Sequence, residues 1–169
     1  SDRGPIGANC LANPRDFPGF VGELARHGFT FFSGVNTLVN ALLHTPGFDQ
    51  LDFRQLRVSL GGGMAVQKAV ADNWKQVTGN TLTQAWGLTE TSPAATVNRL
   101  DAEQFTGSIG LPISSTTITI RDDDGNALPV GQSGEICVEG PQVMRGYWNR
   151  ADETEKVMLP GHVLRTGDI

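Results

Sequence analysis

The chain has 169 residues, with 13 Lys+Arg against 18 Asp+Glu and a formal net charge of −5. That length holds one ordinary domain or two partial ones around a sizeable core. The acidic balance, without a basic cluster, excludes DNA and RNA as partners. No apolar run approaches the roughly 18 residues that cross a bilayer, and the first residues have neither a basic n-region nor an apolar h-region, so the sequence reads as soluble with no transmembrane segment.

Asn13-Pro14-Arg15-Asp16 is a turn, after which Phe20, Val21, Leu24 and Ala25 recur at helical spacing until Gly28 offers a stop. Phe29 to Phe32 follows as a short buried strand. Gly34-Val35-Asn36-Thr37 then leads into a helix carrying Leu38, Val39, Leu42 and Leu43. Leu56 to Leu60 is the next strand, closed by Gly61-Gly62-Gly63. Val66, Val70, Trp74 and Val77 place an apolar face on a helix that stops at Gly79, and Thr81 to Trp86 is a third strand. Strands alternating with helices at this spacing predict an α/β fold of parallel βαβ units, whose ligands gather beyond the carboxyl ends of the strands.

From about Gly107 the pattern changes. Thr116 to Ile120 and Gly134 to Gly140 are β-rich and are joined through the acidic turn Asp122-Asp123-Asp124-Gly125-Asn126. The expected division is residues 1–107 as an α/β part and residues 108–169 as a small β-rich, barrel-like or distorted-sheet part. Asp152 is a candidate cap for a short helix through Met158, before Val163-Leu164-Arg165 returns as strand. Cys10 and Cys137 lack metal-ligand spacing and read as buried thiols in a reducing compartment.

Three groups of residues could carry chemistry. Gly61, Gly62 and Gly63 lie between strand and helix but fail as a dinucleotide fingerprint, leaving a tight turn or a floor for a planar ligand. Trp86, Gly87, Thr89 and Glu90 follow a strand and combine an aromatic face, a hydroxyl and a hard-oxygen carboxylate. They are suited to adenine, phosphate and Mg²⁺, or they are a capped loop. Asp168, after Gly167, is either a ribose acceptor or a turn-forming Asp. Asp122 to Asp124 make a hairpin turn rather than a calcium loop, because Ser133 stands where the loop's terminal glutamate belongs. His27, His44 and His162 have no partner at metal-ligand spacing.

Several blocks in register resemble the adenylate-forming superfamily of acyl-CoA synthetases, luciferases and peptide-synthetase adenylation domains. Gln84-Ala85-Trp86-Gly87-Leu88-Thr89-Glu90 is similar to its Tyr-Gly-x-Thr-Glu block. Gly134 to Asn149 resembles the block that runs from Gly-Glu-Leu to Gly-Tyr-x-Asn, and Arg165-Thr166-Gly167-Asp168 the Arg-Thr-Gly-Asp block. Gly34 to Leu43 and Gly61 to Gln67 look most like bacterial long-chain fatty-acid CoA ligases. The resemblance implies activation of a fatty acid by ATP to acyl-AMP, then transfer to CoA.

It also implies roles. Gly61, Gly62 and Gly63 would border the adenine and acyl pocket, Trp86 would stack on adenine within the turn that Gly87 opens, and Thr89 would contact the α-phosphate. Glu90 would hold Mg²⁺, which makes Thr89 and Glu90 the catalytic pair. Asp168 would bind the ribose of ATP or AMP, and Gly34, Val35 and Thr37 would line the acyl channel. Trp86 stands where the family usually has Tyr, keeping the stacking face but losing a phenolic hydrogen bond.

The chain is expected to be an internal piece of such an enzyme, starting after the Ser/Thr/Gly-rich phosphate loop and ending before the lysine-bearing C-terminal domain. On its own it is expected to be inactive, to bind nucleotide weakly and to self-associate through exposed edges. A cytoplasmic enzyme with peripheral association at the inner membrane is the implied setting. The alternatives are a non-catalytic interaction module, or a piece of a medium-chain or aryl-CoA ligase.

Overall fold

A computed structural model describes residue 13 and residues 15–169. Cys10, read as a buried thiol, lies outside the described residues. Helix α1 (Phe17–His27) begins where the Asp16 carboxylate accepts the Gly19 N–H at 3.0 Å, and it ends as the Gly28 N–H donates to the Leu24 carbonyl. Strand β1 (Phe31–Gly34), helix α2 (Asn36–Leu43), strand β2 (Val58–Gly61), helix α3 (Lys68–Thr78) and strand β3 (Leu82–Trp86) then form the alternating units the sequence predicts. Strands β1, β2 and β3 pair in parallel. Strands β4 (Thr96–Val97) and β5 (Leu111–Pro112) extend the sheet antiparallel, giving the order β1-β2-β3-β4-β5.

The first core forms where helices α1, α2 and α3 bring Leu24, Val39, Leu42 and Val70 against Phe32 and Leu82. Trp74 is fully buried at its centre, with Phe32 and Phe48 rings at 4.7 and 5.6 Å, and its indole N–H donates to Ser59 Oγ at 3.0 Å. A buried indole needs such a partner, because an unmatched polar group away from water costs free energy. Helix α3 stops at Gly79, which takes a left-handed conformation with φ 72°.

The β-rich part is an open four-stranded antiparallel sheet, β6 (Thr117–Arg121), β7 (Glu135–Glu139), β9 (Val163–Arg165) and β8 (Met158–Leu159), in the order β6-β7-β9-β8. The turn at 122–126 closes as Asp122 Oδ1 accepts the Asn126 N–H at 2.8 Å. That bond holds the Asp122 carboxyl below its ordinary range. Ala95 and Trp86 of the first part pack with Val138, Val143 and Leu164 of the second, so one small core joins the two sheets.

Several details differ from the sequence reading, among them a second strand that starts at Val58 rather than Leu56. The first strand starts at Phe31 rather than Phe29, and Phe31 sits on the sheet's edge strand, 54 % exposed. Helix α4 (Ala151–Val157) is preceded by Arg150, not capped by Asp152, whose carboxylate instead pairs with the Arg150 guanidinium at 3.1 Å. Strands β4, β5 and β8 went unrecognised because two residues are too few to show alternation.

Candidate functional site

The register of the parallel strands aligns the candidate residues. Gly34 stands opposite Gly61, and Gly61 opposite Gln84, so β1 and β2 end in one row while β3 runs two residues further, to Trp86. The Gly62 N–H donates to the Gly34 carbonyl at 3.3 Å, which carries the sheet one residue past β2. Gly61 is buried beneath Val66, and a side chain there would overlap the Val66 methyls. Gly63 has φ 76°, a left-handed conformation that favours glycine, and lies beside exposed Val35. Val35 precedes α2, and Thr37 is exposed in its first turn. The structure therefore brings Gly34 and Val35 beside Gly61–Gly63 at the strand ends, with Thr37 exposed one turn into α2.

Beyond β3 the backbone folds sharply back. A Cβ at Gly87 would collide with the backbone of Pro93, Ala94 and Ala95, so the turn accepts only glycine there. Thr89, Glu90 and Thr91 form a single 3₁₀ turn. Thr91 is fully buried. Its hydroxyl accepts the Leu88 N–H at 2.9 Å and faces the Leu88 and Pro93 carbonyls at 3.0 and 3.1 Å. This inward hydroxyl braces the loop while Thr89 stays exposed and Glu90 half-buried.

The second sheet supplies side chains across long stretches of sequence. Asp168 Oδ2 accepts the Trp86 indole N–H at 3.0 Å, joining residues 82 positions apart. Glu135 fixes the turn that carries Asp168: its carboxylate accepts Arg165 Nε at 2.6 Å and the Gly167 N–H at 2.8 Å. The bond to Glu135 raises the Arg165 pKa further. Glu90 is held from the same side, with the Tyr147 hydroxyl donating to Oε1 at 2.8 Å and the Met144 N–H to the Glu90 carbonyl at 2.8 Å. The Glu90 bond raises the Tyr147 phenol pKa.

The result is an aromatic face, a hydroxyl and two carboxylates collected at the seam of two sheets, with glycine-lined strand ends alongside. Such a seam can take a ligand that has a planar ring, hydroxyls and anionic oxygens. A family of proteins described as AMP-binding enzymes matches residues 7–148. The chain belongs to this family. It is 55 % identical over 159 residues to a long-chain-fatty-acid–CoA ligase of Yersinia pestis, covering 94 % of this chain and 28 % of that protein. It is 53 % identical over 164 residues to the Escherichia coli O6:H1 long-chain-fatty-acid–CoA ligase, covering 96 % and 29 %. The chain thus spans under a third of the length of these curated relatives. An anthranilate CoA ligase, AuaEII, solved with anthranoyl-AMP, superposes with a TM-score of 0.82 at 25 % identity, over 92 % of this chain and 30 % of its own.

Sequence reasoning nominated Trp86, Glu90 and Asp168 and missed Thr91, Glu135 and Tyr147, which brace the turn or bond to its neighbours. Tyr147 lies in the quoted Gly-Tyr-x-Asn block, yet nothing local ties it to Glu90, 57 residues away. Glu135 was likewise read only as part of its block, and Thr91, the residue after the quoted turn block, was not singled out. A buried threonine inside a polar turn is the one local signal that a brace is present. His27 and His44 are engaged elsewhere: the His44 ring meets the Asn40 carbonyl at 2.7 Å, and His27 lies 3.4 Å from Glu23.

Proposed function

We propose that this chain is the central part of a long-chain fatty-acid CoA ligase, which couples a fatty acid to AMP at the expense of ATP and then transfers the acyl group to CoA. The observation that carries the reading is the meeting of Trp86, Glu90 and Asp168 at one seam. Identity above 50 % to two long-chain ligases favours that branch over the aryl-CoA branch, matched by AuaEII at 25 %. In this reading the indole of Trp86 stacks on adenine, worth about 1–3 kcal/mol for a base on an aromatic ring. Asp168 accepts from the ribose hydroxyls and Thr89 donates to the α-phosphate. Gly61–Gly63 leave room for the adenine and acyl group, while Gly34, Val35 and Thr37 wall the acyl channel.

Among the described residues no group of three or more His, Cys, Asp or Glu gathers at metal-binding distance. That suits Mg²⁺, which is commonly held by one or two carboxylates together with substrate phosphates rather than by an all-protein cage. Glu90 fits this role, since Tyr147 engages one carboxylate oxygen. The ion would offset negative charge on the phosphates as pyrophosphate leaves. The four-stranded sheet is proposed to complete a barrel-like part with segments of the longer protein, dividing the chain near residue 107. Edge residues Phe31 and Leu111 of the five-stranded sheet, 54 % and 65 % exposed, would be covered by other segments of that protein. No helix among the described residues is long and apolar enough to cross a membrane, which suits a cytoplasmic enzyme that meets the inner membrane peripherally.

The test is ATP–pyrophosphate exchange by the full-length protein across a series of fatty acids, with a Glu90→Ala variant. Exchange supported by long-chain acids and lowered about a hundredfold in the variant is expected, the scale of losing one electrostatic stabiliser. An unimpaired variant overturns the role of Glu90, and no exchange with any fatty acid overturns the function.

A further inference from the structure

We propose that Trp86 is also a positioning residue, whose indole N–H aims the Asp168 carboxylate at the ribose. This rests on the ribose-binding reading of Asp168. The backbone of Asp168 is tied to the second sheet, because its carbonyl accepts the Ile136 N–H at 2.8 Å and its N–H donates to Thr166 Oγ1 at 3.1 Å. Neither bond fixes the side chain. The carboxylate is reached by one side-chain donor among the described residues, the Trp86 indole, at 3.0 Å. The ring that would carry adenine and the group that would take the ribose are therefore coupled by a single hydrogen bond.

The chemistry leaves room for the sugar. An ionised carboxylate offers about four lone-pair sites, and the indole uses one, so two ribose hydroxyls can still donate to the remainder. The indole is anchored in turn by packing against the core of Ala95, Val138, Val143 and Leu164 that joins the two sheets. An N–H on a ring held in this way directs the exposed carboxylate without adding a second charge beside it. Phenylalanine would keep an aromatic face and leave the carboxylate free to rotate. Sugar recognition is thus assigned to the indole edge and base recognition to its face.

The two roles separate by comparing ligands rather than by measuring affinity alone. Binding of AMP and of 2′,3′-dideoxy-AMP is measured calorimetrically for the full-length protein, Trp86→Phe and Asp168→Ala. The expected result is a preference for AMP that Asp168→Ala abolishes and Trp86→Phe reduces about tenfold, the scale of one hydrogen bond to a charged group. Equal weakening of both ligands in Trp86→Phe, with the preference intact, shows a ring that only stacks and overturns the proposal. Tighter AMP binding in that variant overturns it too, because the indole would then be a competitor of the ribose. If Asp168→Ala leaves the preference unchanged, the ribose reading itself fails, which is a different result from loss of the indole effect alone.

A measurement on the unsubstituted side chain guards against a misfolded Trp86 variant. The indole ¹⁵N–¹H resonance that moves upfield in Asp168→Ala reports the bond directly. Its ¹⁵N shift is expected to keep the hydrogen-bonded value when AMP binds to the wild type, while the stacked adenine adds only a ring-current change to the proton. Movement to the unbonded position on AMP binding would mean that the bond breaks as the ligand enters, and the proposal falls.

Discussion

The parallel strands β1 to β3 and the antiparallel strands β6 to β9 contribute to the seam in different ways. The first region supplies shape: glycines in register at the ends of β1 and β2, and a turn after β3 that doubles back over Gly87. The second region supplies restraint, because Asp168 and Tyr147 reach across to bond Trp86 and Glu90. In both, the outward groups are exposed or half-buried while their supports lie deeper, Thr91 fully buried and Glu135 with a side chain 15 % exposed. The exposed groups at the seam are thus held by deeper ones, as a directed site would require.

The contrast is tested most strongly at Thr91. Thr91→Val keeps the shape but leaves the Leu88 N–H without its acceptor, and should cost about 2 kcal/mol of stability by urea denaturation. Unchanged stability would mean that the turn is held by its backbone alone. In the second region, Glu135→Ala frees Arg165 and the Gly167 N–H together, and AMP binding to the full-length protein should weaken about tenfold by calorimetry. A smaller effect is expected from Tyr147→Phe, about a threefold rise in the Mg²⁺ concentration needed for half-maximal nucleotide binding. No change there would assign the Tyr147 bond to packing.

Cys137 gives the smallest effect. It is fully buried, and burial pushes its thiol up from the ordinary 9.0. With its folded pKa above its unfolded one, its contribution to stability is present below pH 9 and is lost as pH rises through the folded value. The urea midpoint should therefore fall more steeply above pH 9 than in Cys137→Ala, and matching slopes would argue that the thiol is accessible to solvent.

What the sequence made legible follows the same division. Helix α3 was readable from Val70, Trp74 and Gly79, because its stop signal and apolar face lie within a few turns. Strand β3 and its turn were legible for the same reason, and so was the α/β class. The three short strands were not, since their pairing is set by distant partners. Asp168 could be nominated from its neighbours, but its bond to Trp86 depends on how two sheets share one core, which no local pattern encodes. Asp152 misled because an acidic residue near a helix start suits either a cap or a first-turn position, and Arg150 drew it to the latter.

The central claim is that both sheets build one nucleotide site at this seam. A crystal structure of the full-length protein with AMP tests it most directly. The adenine is expected against the indole of Trp86, with the ribose hydroxyls about 3 Å from the Asp168 carboxylate. A nucleotide ordered elsewhere, with Trp86 and Asp168 still bonded only to each other, would contradict it.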